Sequence, residues 1–132
     1  MPARTRTPAL SALAVPAVID VVLVLVFSAI GRGSHEEGVT VGGTLSTAWP
    51  FLVGLAVGWA VTYALYREMF VAVSLVPTGV LAWIGAVVVG MVLRQVSGEG
   101  TAFSFIVVAT VTLAVFLLGW RLVARLAQRR RA

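Results

Sequence analysis

The sequence predicts an all-α integral membrane protein: an up-down four-helix bundle with both termini in the cytoplasm. Three observations carry that expectation. Hydrophobic residues make up 60% of the chain and charged residues 11%, where soluble domains carry about 25% charged residues. The mean hydropathy is +1.03. Four apolar runs, each of about 18 residues or more, are separated by short polar connections. The 132 residues suit a single four-helix transmembrane domain over 1–132, with no separate soluble unit.

The first run, Ala9 to Ile30, has 22 residues and one charge, Asp20. At about 1.5 Å per helical residue it crosses a hydrocarbon core of about 30 Å. It is longer than the apolar part of a cleavable signal, about 7–15 residues, and cleavage after Ala29 would put Phe27 at a small-residue position, so it is read as a retained span. Pro8 and Pro16 leave two helix starts open. One sets Asp20 near mid-membrane, the other in the second turn.

The second run, Ala48 to Tyr66, has 19 uncharged residues, and Pro50 suits its first turn. The third, Met69 to Leu93, has 25 uncharged residues. Its Pro77 either kinks it or marks where the embedded part begins. The fourth, Thr101 to Trp120, has 20 uncharged residues, and a basic cytoplasmic tail follows over 121–132. Gly31 to Thr47 is the longest connection. Such short links make sequential helices antiparallel. A β-barrel is disfavoured because the runs lack two-residue alternation.

Orientation follows from the arginines. There are ten, and no lysine. With the N-terminus inside, eight lie on the cytoplasmic side and two, Arg32 and Arg94, outside. A multi-pass protein of the cell (plasma or inner) membrane is expected. A net charge of +5 could suit nucleic acid, but arginines that flank apolar spans act as topology determinants, so no nucleic-acid partner is expected. The tail arginines Arg121, Arg125, Arg129, Arg130 and Arg131 read as a helix emerging toward anionic lipid.

Cysteine is absent and histidine occurs once, so no disulfide, metal or cofactor is expected. The chain has no phosphate loop, zinc motif, serine elbow or paired catalytic carboxylates and is not expected to be an enzyme.

Asp20 is the foremost candidate. Pro16, Val24, Phe27 and Gly31 share its helical face, which must point inward because lipid cannot solvate a carboxylate. It reads as an intramembrane proton or cation site, or as a structural carboxylate bonded to serine, threonine or tryptophan groups of neighbouring helices; interfacial placement with little role is a third reading. Arg32 lies about 18 Å away along a straight helix and is too far to pair with it. Arg32, Ser34, His35, Arg94 and Glu99 form a candidate outer mouth, against the plainer reading of interfacial snorkelling.

Gly54 and Gly58 form a small-xxx-small motif, and Gly79, Ala82, Ala86 and Gly90 form a stripe on the third run. Both suit close helix packing, within one chain or in a homo-oligomer. Trp49, Tyr66 and Trp120 sit at span ends, as interfacial belts require. Trp59 and Trp83 lie near mid-span, as pocket aromatics or as core. Thr62, Ser104, Thr110 and Thr112 are placed for weak bonds between helices.

Asp20, Ile30-Gly31-Arg32-Gly33-Ser34-His35, Thr47-Ala48-Trp49-Pro50-Phe51-Leu52 with Gly58-Trp59, the Pro77, Gly79 and Trp83 region and Leu93-Arg94 together resemble the domain of unknown function 3054 family. These are small prokaryotic membrane proteins with four spans. The resemblance covers about Ala17 to Arg121. It implies the fold class and the membrane location, and no activity.

The function expected is that of a non-catalytic accessory or oligomeric membrane component, in which Asp20→Asn would leave folding nearly unchanged. The alternatives are a small proton- or cation-coupled transporter using Asp20, and an anion channel or lipid-binding module using Arg32 and Arg94.

Overall fold

A computed structural model describes residues 10–34 and 40–131, with side chains described over 12–31 and 40–130. His35, Glu36 and Glu37 lie outside the described residues, as do the side chains of Arg32 and Ser34.

The described chain is all helical, with no strand among the described residues. Helix α1 spans Leu10–Ser34, α2 Val41–Tyr66, α3 Val80–Val96, α4 Phe103–Leu113 and α5 Gly119–Arg131. A wide helical turn, Ala114–Leu118, joins α4 to α5 into one rod. Four helical stretches are long and apolar enough to cross a membrane: Ala12–Gly31, Val41–Met69, Leu75–Val96 and Phe103–Arg130.

Two of their bounds differ from the hydropathy reading, each for a local reason. Helix α2 begins at Val41, well before Ala48, because Thr40 caps it: the Thr40 side chain accepts from Gly43 N at 3.0 Å. Pro50 therefore sits inside the helix and not in its first turn. The third span does not start at Met69. Phe70 to Ser74 form a turn, Val76 is extended at φ −126° and ψ 124°, and α3 proper begins at Val80. Pro77 removes an N–H and disfavours helical backbone in Val76 before it. The fourth rod runs through Arg121 toward Arg130 without a break between span and tail, in keeping with the tail read as an emerging helix.

The tightest seam joins α2 to α3, and it is made by missing side chains. A Cβ added to Gly54 would meet the Gly85 carbonyl and come within 2.9 Å of Ala86 Cα. One added to Gly58 would meet the Leu81 carbonyl and come within 2.8 Å of Ala82 Cα. Residue numbers rise along α2 as they fall along α3, so the pair is antiparallel. The Gly54–Gly58 motif is thus spent inside one chain.

Gly85 belongs to this seam, although the expected stripe passed it by. Gly79 and Gly90 of that stripe do other work. Gly79 lies against Arg121 Cδ and Leu118 Cδ2, and Gly90 against the Phe51 ring. Around the seam, Val24, Phe27, Phe51, Leu55, Ala82, Ala86, Ala109, Leu113 and Leu117 form the core.

Two of the four hydroxyls expected to bond between helices, those of Thr62 and Thr110, turn back on their own helix. Thr62 Oγ1 donates to Gly58 O at 2.7 Å and Thr110 Oγ1 to Ile106 O at 2.7 Å. Each meets a carbonyl one turn earlier and so satisfies itself locally.

Candidate functional site

Asp20 is fully buried on the inward face of α1. An ionised carboxylate in such a setting needs donors, and it has four. Trp59 Nε1 of α2 donates to Oδ2 at 2.9 Å, and Trp120 Nε1 of α5 donates to Oδ1 at 2.9 Å. Arg121 Nη1 donates to Oδ1 and Nη2 to Oδ2, both at 2.8 Å. Each oxygen accepts two bonds, which fills the acceptor capacity of a carboxylate. The Arg121 pair is bidentate, the strongest form of such an interaction.

Arg121 is equally committed. Its Nε and Nη2 donate to Ala72 O at 3.1 and 3.0 Å, and Nη1 donates to Leu117 O at 3.1 Å. With the two bonds to Asp20, all five guanidinium N–H groups have acceptors. Its carbon also lies 4.6 Å from the centre of the Trp120 ring. No buried side-chain nitrogen or oxygen among the described residues lacks a hydrogen-bond partner.

Two irregular segments put Arg121 there. Ala109, Leu113, Leu117 and Arg121 are all buried, four residues apart. In a regular helix of 3.6 residues per turn such a row drifts by about 40° at each step. The wide turn Ala114–Leu118 holds more residues per turn and reduces the drift, keeping Arg121 in line with the inward leucines.

The second segment is the turn Phe70 to Ser74, which presents the Ala72 carbonyl. Thr78 Oγ1 donates to Val71 O at 2.6 Å, Ser74 Oγ donates to Thr78 Oγ1 at 3.1 Å, and Gly79 N donates to Ser74 O at 2.9 Å. Phe70 stacks edge-on against Trp59, with ring centres 5.6 Å apart. One residue thus pins the turn to the same tryptophan that serves Asp20.

These contacts correct two expectations. Arg121 does not belong to a solvated basic tail; it is completely buried. Trp120 is not simply an interfacial ring, because its N–H serves Asp20. A signal for both was present: Arg121 directly abuts the fourth apolar run, and a lone buried acid calls for a base. Among the other aromatics, Trp83 Nε1 donates to Thr110 O at 2.9 Å and packs on the core. Trp59 also lines an apolar groove of about 380 Å³ with Ala17, Val21, Leu52, Leu55 and Ala56.

The opposite ends of the helices form a half-open cavity of about 360 Å³ whose lining is part polar and part apolar. Arg94 and Glu99 of the expected outer mouth line it, with Ser28, Gly31, Ser46, Thr47 and Ser104. Phe27 and Phe105 line its apolar side, and Phe51 packs edge-on against Phe27 at 5.3 Å.

Arg94 is held by the turn that follows α3. Gly98 and Gly100 adopt φ of +83° and +84°, where a side chain would be strained. The turn so formed aims the Gly100 and Glu99 carbonyls at Arg94 Nε and Nη2, at 3.2 and 3.3 Å. The guanidinium carbon stands 4.4 Å from the Phe105 ring centre.

No curated protein and no solved structure matches the chain. A family model described as "Protein of unknown function (DUF3054)" matches residues 17–124. Among the described residues, that stretch holds the partners of Asp20 and the lining of the cavity at Arg94, and the match makes the chain a member of the DUF3054 family.

Proposed function

We propose that this protein is a non-catalytic membrane component, an accessory or oligomeric subunit, set in the cell (plasma or inner) membrane with both termini cytoplasmic. The observation that carries the reading is the closed hydrogen-bond account of the Asp20–Arg121 cluster, in which the five guanidinium N–H groups and two indole N–H groups are all met by one carboxylate and the Ala72 and Leu117 carbonyls. A group poised to take up a proton or a cation needs a free lone pair or a replaceable ligand. Asp20 would have to give up Arg121 or a tryptophan first, leaving a buried donor without an acceptor.

Two further features support the membrane setting. Outward-facing valines are widely exposed, Val18 at 60%, Val88 at 54% and Val111 at 57%, as surfaces solvated by lipid would be. With Arg121 set aside as buried, seven arginines against two still favour cytoplasmic termini. The exposed Arg125, Arg129 and Arg130 then reach anionic headgroups, at about 1 kcal/mol each near the surface. Because the glycine seam is used internally, a second copy or a partner would dock on the outward aliphatic faces.

The test is ion flux in liposomes containing the purified protein, with cross-linking in native membranes. The expected outcome is no proton, sodium or potassium flux above empty liposomes, and a cross-linked species larger than the monomer. A gradient-driven flux that disappears in a folded Asp20→Asn, Arg121→Gln double variant would replace this reading with transport.

A further inference from the structure

The cavity at Arg94 does not end at its polar wall. A second, mostly apolar groove of about 260 Å³ runs from it between α1 and α4, lined by Phe27, Ile30, Gly31, Ser104, Phe105, Val108 and Thr112. Phe27, Gly31, Ser104 and Phe105 line both spaces. Ile30 and Val108, farther along the groove, are 58% and 55% exposed, so its far side is open to whatever surrounds the helices. A charged, hydroxyl-lined chamber thus continues into an apolar channel, the division of chemistry found in an amphipathic molecule.

Arg94 is built to hold the charged part. Two of its five N–H groups are taken by the Gly100 and Glu99 carbonyls, and Nη1 makes no hydrogen bond among the described residues. The carbonyls and the Phe105 face fix the guanidinium plane, so little side-chain freedom is lost when an oxyanion arrives. Ser28 Oγ already donates to Val24 O at 3.0 Å, while Ser46 and Ser104 add hydroxyls to the wall. Glu99 at the same wall offers an acceptor to a hydroxyl or ammonium group.

We propose that this paired cavity and groove hold one glycerophospholipid, its phosphodiester on Arg94 and an acyl chain between α1 and α4. A free phosphate would use the chamber and leave the groove empty, and a neutral lipid would use the groove and leave Arg94 unmet. A phospholipid meets both. The site lies about 16 Å along α1 from Asp20, counting Asp20 to Gly31 at 1.5 Å per residue, and does not depend on the role assigned to that cluster.

The test is native mass spectrometry of the full chain in detergent with dioleoylphosphatidylglycerol, dioleoylglycerol or glycerol 3-phosphate added. Two variants are compared, Arg94→Gln and Gly31→Leu. The second fills the shared part of the two spaces, and a Cβ at Gly31 meets nothing within 4 Å, so it keeps the test open if Arg94→Gln disturbs the turn. The wild type is expected to retain one phosphatidylglycerol, not dioleoylglycerol, and excess glycerol 3-phosphate should not displace it. Gly31→Leu, and Arg94→Gln where it folds, should weaken retention at least about tenfold, as loss of a guanidinium–phosphate pair or of the chain's path requires. Equal retention of dioleoylglycerol, displacement by glycerol 3-phosphate, or unchanged retention in a folded Gly31→Leu protein would overturn the proposal.

Discussion

Asp20 and Arg121 stand 101 residues apart in the chain and meet through two bonds of 2.8 Å, one to each carboxylate oxygen, with both side chains fully buried. This pair ties the first helix to the last. Through the Ala72 carbonyl it ties both to the turn before α3.

Removing one member should therefore cost far more than removing a surface charge. Asp20→Ala leaves a buried guanidinium short of two acceptors and two indole N–H groups short of one each. A loss of about 3–5 kcal/mol is expected in denaturant unfolding in micelles. Asp20→Asn should also destabilise strongly, since an amide offers one acceptor oxygen where two are used, in contrast to the near-silent effect that the sequence alone predicts. In a double-mutant cycle with Arg121→Met, a coupling of about 0.5–3 kcal/mol should appear. Strict additivity would mean that the pair contributes nothing.

Charge alone should not replace Arg121. Lysine has three donors from one nitrogen, where arginine spans two carboxylate oxygens and two backbone carbonyls. Arg121→Lys is expected to destabilise by about 1–3 kcal/mol. Arg125→Lys, one turn further and exposed, should stay within about 0.5 kcal/mol. The same loss in both variants would return Arg121 to the tail.

Each tryptophan that serves Asp20 can be tested by itself. Trp120→Phe and Trp59→Phe keep an aromatic ring and delete one N–H to the carboxylate. Each should cost about 1.5–3 kcal/mol, as hydrogen bonds to charged groups do. Trp49→Phe, at a 41% exposed position, is the comparison and should be nearly silent in the same unfolding assay.

The glycines divide into two groups by the space around them. Gly54→Val and Gly58→Val drive carbons into the backbone of α3, so loss of the folded monomer is expected, not loss of an oligomer. Gly31→Ala and Gly119→Ala meet nothing within 4 Å and should be neutral or stabilising by up to about 1 kcal/mol. Circular dichroism with size-exclusion chromatography separates the outcomes. A well-folded monomeric Gly58→Val protein would contradict the seam.

What could be read along the chain came from properties of neighbouring residues. Apolar run length marked four helices long enough to cross a membrane. Burial of an unaccompanied aspartate is costly enough to turn Asp20 inward whatever its partner. Glycine spacing announced a close contact at Gly54 and Gly58, although not its location inside one chain.

Long-range pairing was less legible, because it depends on helix rotation. Arg121 looked like one of a regular series with Arg125 and Arg129, and the wide turn at Ala114–Leu118 that aligns it inward has no distinct residue signature. Ala72 is unremarkable in the sequence, and its carbonyl matters only because Val76 and Pro77 break the helix that hydropathy would extend to Met69. Local composition sets which segments can be helices and which side chains cannot face lipid. The choice of Arg121 as the partner of Asp20, and the joining of Arg94 to a groove beyond Phe105, arise only when packed helices bring distant residues to one point.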